Sequence, residues 1–161
     1  MAIPHYAAKV TTPFAVLGLR TNGVALTALT YLPLSERAAA PADRVAEKAA
    51  RELESYLADP AYRFTVALAP AGTAFQQRVW AALSEIPHGQ SRTYGEVAHL
   101  VHTAARAVGQ ACGANPIALI IPCHRVIGAQ GSLGGFTHAE DGDPIAIKRW
   151  LLAHEGYRFG A

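Results

Sequence analysis

The densest run of chemically capable side chains is Ile121-Pro122-Cys123-His124-Arg125-Val126-Ile127. Cys123 has an imidazole and a guanidinium beside it, and cationic neighbours favour the thiolate, which is the nucleophilic form. On a strand, consecutive side chains point to opposite faces. Cys123 and His124 therefore meet only if the backbone turns here or a water bridges them. The plainer alternative keeps Cys123 as a small apolar side chain in a core. Cys112 lacks such company and reads as packing. Glu155 falls at the end of a predicted helix, where the dipole disfavours an acid. It calls for a partner, or else marks a frayed, exposed end. Arg106 is the one long side chain near the start of a helix built from Ala104, Ala105, Ala107, Gly109 and Ala111. Small residues let a backbone come close to what it faces. That helix suits a DNA groove with Arg106 as probe, or a tight core with Arg106 in a surface ion pair. His5, His88, His99, His102, His138 and His154 show no metal-ligand spacing, and no metal site is expected.

These residues need elements to position them. Apolar and β-prone runs over 5–10, 14–20 and 24–32 predict strands, with Asn22-Gly23 as a two-residue hairpin signal. Asp43 is placed to cap a helix to about Ala58 that buries Ala46, Ala49, Leu53 and Leu57, with Pro60 as its stop. Residues 62–68 read as a further strand, and Pro70-Ala71-Gly72 as a boundary. Thr73 and Gln76 form a capping box for a helix with Phe75, Val79, Trp80, Leu83 and Ile86 on its buried side. Thr93 and Glu96 form a second box, for a helix to about Val101. Thr103 is expected to cap a third helix, ending at Gly113. Residues 116–121 are all apolar, the mark of a buried strand or core segment. Asp143-Pro144 opens the last helix, and Gly156 follows its end.

The chain has 161 residues, 51% hydrophobic, 16% charged and 8% aromatic, enough apolar surface to fold rather than stay disordered. No apolar run approaches the roughly 20 residues of a membrane span. The start, MAIPHYAAKVTTP, lacks the pattern of a signal peptide, so the cytoplasm is the expected compartment. The net charge is +2, from 14 basic and 12 acidic residues. With no basic tail or charge block, it permits a nucleic-acid partner without indicating one. Two cysteines make no disulfide framework.

Four segments together resemble one family: GQSRTYGEVA (89–98), AARAVGQA (104–111), ANPIALIIPCHRVIG (114–128) and KRWLLAHEG (148–156). They are similar, in order and over roughly residues 73–156, to the O6-alkylguanine-DNA alkyltransferases, also called methylated-DNA–protein-cysteine methyltransferases. The resemblance implies an α+β fold. A small strand-rich, ribonuclease-H-like supporting domain (1–70) would precede a helical domain with a helix-turn-helix (71–161), which binds DNA and accepts the alkyl group. It implies that an alkylated guanine is flipped from double-stranded DNA and its alkyl group moved irreversibly onto Cys123. His124 would be the general base, acting through a water, and Glu155 the residue that orients and charges it. Asn115 would be the hinge between recognition helix and active-site segment. Arg106 would enter the base stack from the minor groove, with Ala104 and Ala105 against the DNA, and Tyr94 would crowd the phosphate. The substrate pocket would comprise Tyr94, Pro122, Val126, Phe136 and Thr137. No cofactor, metal or membrane is implied, and a monomer is expected.

The sequence departs from the family pattern in four places. Phe136 stands where the family usually has a tyrosine that donates to the guanine O6. Residues 137–143 carry an insertion of about five residues containing Glu140, Asp141 and Asp143, acids that weaken phosphate contact. The Tyr94-to-Arg106 spacing is about two residues short, and Ala114 replaces a usual glycine. Three other readings compete with alkyl transfer. A lesion-binding sensor without catalysis is the main alternative. A cysteine hydrolase lacks an oxyanion-hole motif here, and a simple DNA-binding regulator leaves the Cys123 segment unexplained.

Overall fold

The computed structural model describes residues 5–131, 133 and 144–158. The chain starts as an antiparallel sheet, β1 (Ala8–Thr11), β2 (Val16–Thr21) and β3 (Leu26–Leu32), in that order. The middle strand buries Val16, Leu17, Gly18 and Leu19 in succession, as a strand covered on both faces does. The hairpin loop after β2 spans four residues, 22–25, and not the expected two. Asn22 Oδ1 accepts the backbone N–H groups of Val24 (2.9 Å) and Ala25 (2.8 Å), and this local capture delays β3 to Leu26.

Helix α1 (Arg44–Ala58) is capped as expected, Asp43 accepting from the Ala46 N–H at 2.8 Å. Its buried face runs Ala46, Ala49, Glu52, Leu53 and Tyr56, and Leu57 is only partly buried. Residues 62–68 are not a strand. They make one bridge, Leu26 with Leu68, because the Glu52 carboxylate takes the N–H groups of Thr65 and Val66 that a ladder would have used.

Both capping boxes form, on α2 (Ala74–Ser84) and α3 (Tyr94–Leu100). Helix α4 (Ala105–Gly113) opens from Ala104, without a side-chain cap, and not from Thr103. His102 sits in the left-handed region at φ 57, and the Thr103 N–H closes that reversal on Ala98 O at 2.9 Å. The connection between α3 and α4 is therefore 101–104. Residues 116–121 are buried apart from the half-buried Pro116 and Ile120, but as a core segment of turns with one bridge, Leu29 to Ile117. Two short parallel strands, β4 (Arg92–Thr93) and β5 (Val126–Ile127), flank a single 3₁₀ turn at Cys123–Arg125.

Helix α5 (Pro144–His154) starts on proline and ends in a Schellman motif. Tyr157 N–H bonds Leu152 O, Gly156 N–H bonds Ala153 O, and Gly156 takes φ 87. One hydrophobic core runs from Ala8 in β1 to Leu151 in α5, so the sheet and the helices share their interior across residues 70–72. This is an α+β chain, strands first and helices after. No helix among the described residues is long and apolar enough to cross a membrane.

Candidate active site

The 3₁₀ turn answers the geometric condition on Cys123 and His124. The backbone turns there, and both side chains point into the interior. Asn115 shapes the approach to this turn: its Oδ1 accepts the Ile117 N–H at 3.0 Å and its Nδ2 donates to Ile121 O at 2.9 Å. The segment before Cys123 is thus stapled at both ends by one buried amide.

Glu155 lies at the C-cap of α5, fixed by the Schellman turn that follows it. Gly89, at φ 77, lets the loop after α2 pass so close that a Cβ there would stand 3.0 Å from Glu155 O. The carboxylate is fully buried and is held by partners rather than frayed. Its Oε1 accepts Arg125 Nε at 2.8 Å. Its Oε2 accepts Arg125 Nη2 at 3.0 Å, the Tyr56 hydroxyl at 2.6 Å, and His124 Nε2 at 2.8 Å. Burial alone would push this acid up; His124 and Arg125 overcome that and hold it well below the usual carboxylate range.

A carboxylate only accepts, so His124 Nε2 carries the proton and Nδ1 presents its lone pair. Nδ1 has no hydrogen-bond partner among the described residues. Burial lowers the His124 pKa, Glu155 works against that fall, and Arg125 and Lys148 add to it.

The Cys123 thiol is pushed up by burial, against an Asn115 hydrogen bond and the Lys148 charge. It therefore rests protonated, contrary to the expectation from its cationic neighbours. Burial is the main cause, and Arg125 does not offset it: its Nε and Nη2 are engaged by Glu155, and its Nη1 donates to Ile86 O at 2.6 Å. The cation that acts on the thiol is Lys148, which the sequence reading passed over. Lys148 is fully buried, donates to Val126 O at 2.7 Å and sits 5.7 Å from the Tyr94 ring centroid. Burial brings it down to about 8. Spacing could have found it, since 148, 151, 152 and 155 form one helical stripe.

Tyr94 opens α3, half-buried, its hydroxyl pushed up to about 12 by burial and then by the charges of Cys112 and Cys123. Cys112 is itself raised to about 12, by burial first and then by Cys123. It packs in the core, as its sequence context suggested. Pro122 and Val126 are buried on either side of the turn. Ala104, Ala105 and Arg106 are all exposed at the start of α4, and Arg106 makes no salt bridge among the described residues. Phe136, Thr137, His138 and the rest of the 137–143 insertion lie outside the described residues. A cavity of about 480 Å³ between the 60–68 segment and residues 84–88 is lined by Pro122 and Arg125 but by neither Tyr94 nor Val126, so of the described residues expected in the substrate pocket it includes Pro122 alone.

Comparison with known proteins places this architecture. Residues 74–157 match the family described as 6-O-methylguanine DNA methyltransferase, DNA binding domain. A methylated-DNA–protein-cysteine methyltransferase of Methanosarcina barkeri is 44% identical over 151 residues, covering 89% of this chain and 92% of that protein. The Mycobacterium tuberculosis protein of the same name is 44% identical over 161 residues, covering 96% and 93%. The crystal structure of Mycobacterium tuberculosis OGT in complex with DNA superposes with a TM-score of 0.79 at 43% identity, over 91% of this chain and 90% of that one. Fold and site thus define an α+β methyltransferase with a buried cysteine. The chain belongs to the methylated-DNA–protein-cysteine methyltransferase family.

Proposed function

We infer that this protein repairs DNA by direct reversal, taking the alkyl group of O6-alkylguanine in duplex DNA onto Cys123. The observation that carries the reading is the His124–Glu155 pair beside a protonated, buried thiol. A thiol that rests neutral needs a base as it attacks. His124 supplies one: Glu155 fixes its tautomer, so Nδ1 is the accepting nitrogen, and the carboxylate stabilises the imidazolium that forms.

In the step itself, the Cys123 proton passes to His124 Nδ1 through a bridging water. Sγ attacks the alkyl carbon and forms an S–C bond as the C–O6 bond breaks. Guanine leaves with the electron pair, and its protonation restores the neutral base. The thioether has no hydrolytic exit, so each molecule acts once.

The remaining assignments follow the same reading. Residues 71–161 bind DNA and accept the alkyl group, with α3 and α4 as a helix-turn-helix. Arg106, beside the small Ala104 and Ala105, enters the stack from the minor groove, and Tyr94 presses on the flipped nucleotide. Tyr94, Pro122, Val126, Phe136 and Thr137 form the base pocket, and Asn115 is the hinge before it. Residues 1–70, with a ribonuclease-H-like sheet, support this unit, and the protein acts as a monomer.

The test is the intact mass after mixing with duplex DNA carrying one O6-methylguanine, followed by peptide mapping. One added methyl on Cys123, absent in Cys123→Ala, is expected. Lesion binding without methyl gain would instead make the protein a damage sensor. Arg106→Ala should cut transfer from duplex DNA and spare transfer from free O6-benzylguanine; equal loss on both would make Arg106 structural.

A further inference from the structure

Glu155 Oε2 accepts from three groups, and one of them comes from the other end of the chain. We propose that Tyr56 on α1 is a positioning residue for the reaction: its hydroxyl, 2.6 Å from Glu155 Oε2, sets how much of that carboxylate's charge reaches His124. The proposal rests on the reading of His124 as the base.

Tyr56 is itself immobilised. It is 1% exposed, with its ring edge-on to His154 at 5.1 Å and tilted against Phe64 at 5.7 Å. Its carbonyl accepts His154 Nε2 at 2.8 Å. Helices α1 and α5 are thus tied at two points of one residue, backbone and hydroxyl. A neutral donor on a buried carboxylate oxygen draws its charge toward itself and away from the imidazolium the same oxygen must stabilise. The other charged and titratable groups facing this centre include Lys148, brought down to about 8, and His154 against the Tyr56 ring. Arg125 and Cys123 lie on the same turn, Lys148 faces it from α5, and Tyr31 from β3. Of the three donors on Glu155 Oε2, the Tyr56 hydroxyl is the one that can be removed without touching the imidazole or the guanidinium.

The test is the single-turnover rate of transfer from free O6-benzylguanine to Cys123 as a function of pH. The acid limb reports the proton that disables His124. Tyr56→Phe keeps the ring and removes the donor, so more carboxylate charge falls on His124. The limb should move to higher pH by about half a unit or more. Tyr62→Phe removes a similar hydroxyl from Glu52, and its profile should superimpose on the parent's. Circular dichroism at each pH separates unfolding from titration. The His124 ring resonance, assigned with His124→Gln, gives the same shift without turnover. A Tyr56→Phe profile that superimposes on the parent's, or moves to lower pH, overturns the proposal. If His124→Gln flattens the limb while Tyr56→Phe leaves it in place, only the role of Tyr56 fails. If His124→Gln keeps the parent's limb, the base assignment fails and takes the proposal with it.

Discussion

Among the described residues two glutamates are buried, and each receives a tyrosine hydroxyl. Glu52 sits under the 62–68 segment and accepts only neutral donors: Tyr62 OH at 2.7 Å, Thr65 Oγ1 at 2.7 Å, and the N–H groups of Thr65 and Val66. Glu155 accepts a guanidinium and an imidazole as well as Tyr56. The two carboxylates are similar in burial and in satisfaction. They differ in what lies beyond the donor. Behind the Glu52 donors there is only backbone and a ring, so its charge ends in structure. Behind His124 Nε2 there is a second nitrogen with a free lone pair, so the charge on Glu155 is transmitted to a place where a proton can arrive. A buried acid becomes chemical when one of its donors carries a second atom that can take up a proton, as His124 Nδ1 does.

This contrast is breakable. The largest effect is expected from Glu155→Gln, which removes the charge that stabilises the imidazolium. Single-turnover transfer to Cys123 should fall by about a hundredfold or more, the scale of a lost general base. A loss under about threefold would mean the carboxylate only packs. Glu52→Gln should do the reverse. It should lower stability by about 2 kcal/mol, in the range of hydrogen bonds to a charged group, and leave transfer by the folded protein within about twofold. Denaturant unfolding and the same rate assay read both.

The pH dependence sharpens the same point. Burial raises the Glu52 pKa, but the hydrogen bonds from Tyr62, Thr65 and Val66 outweigh it and hold the folded value below the ordinary 4.5. A depressed acid contributes stability that is complete above its unfolded value and is lost as pH falls through the folded one. Acid unfolding of the parent should therefore steepen below about pH 4.5, and Glu52→Gln should show a shallower decline. The smallest effect is that of Tyr62→Phe, about 1 kcal/mol in stability with no change in transfer.

What could be read from the sequence follows the range of the interaction. The capping boxes at Thr73 and Thr93, the Asp43 cap and the Gly156 stop are contacts within a few residues, and all four form. Cys123, His124 and the misplaced acid Glu155 were legible because their local settings are odd. Residues 62–68 read as a strand and do not form one, because a carboxylate thirteen residues upstream takes the Thr65 amide. The cap at Thr103 failed because His102 adopts a left-handed conformation that no local pattern demanded. Tyr56 was invisible as a site residue, being 99 positions from the oxygen it meets. Arg125 stands beside the thiol in sequence, but its partner is Glu155. Its charge faces Glu155, and the cation acting on the thiol is Lys148, hidden among the apolar residues of α5.

The position of Glu155 at the end of α5 also orders events during synthesis. A ribosome releases β3, α1 and the Cys123 turn well before α5, so the nascent chain carries its thiol and imidazole without their carboxylate or the Lys148 ammonium. Only when the last helix docks does His124 acquire a fixed tautomer. Assembly of the buried site thus waits on α5, the described element furthest along the chain.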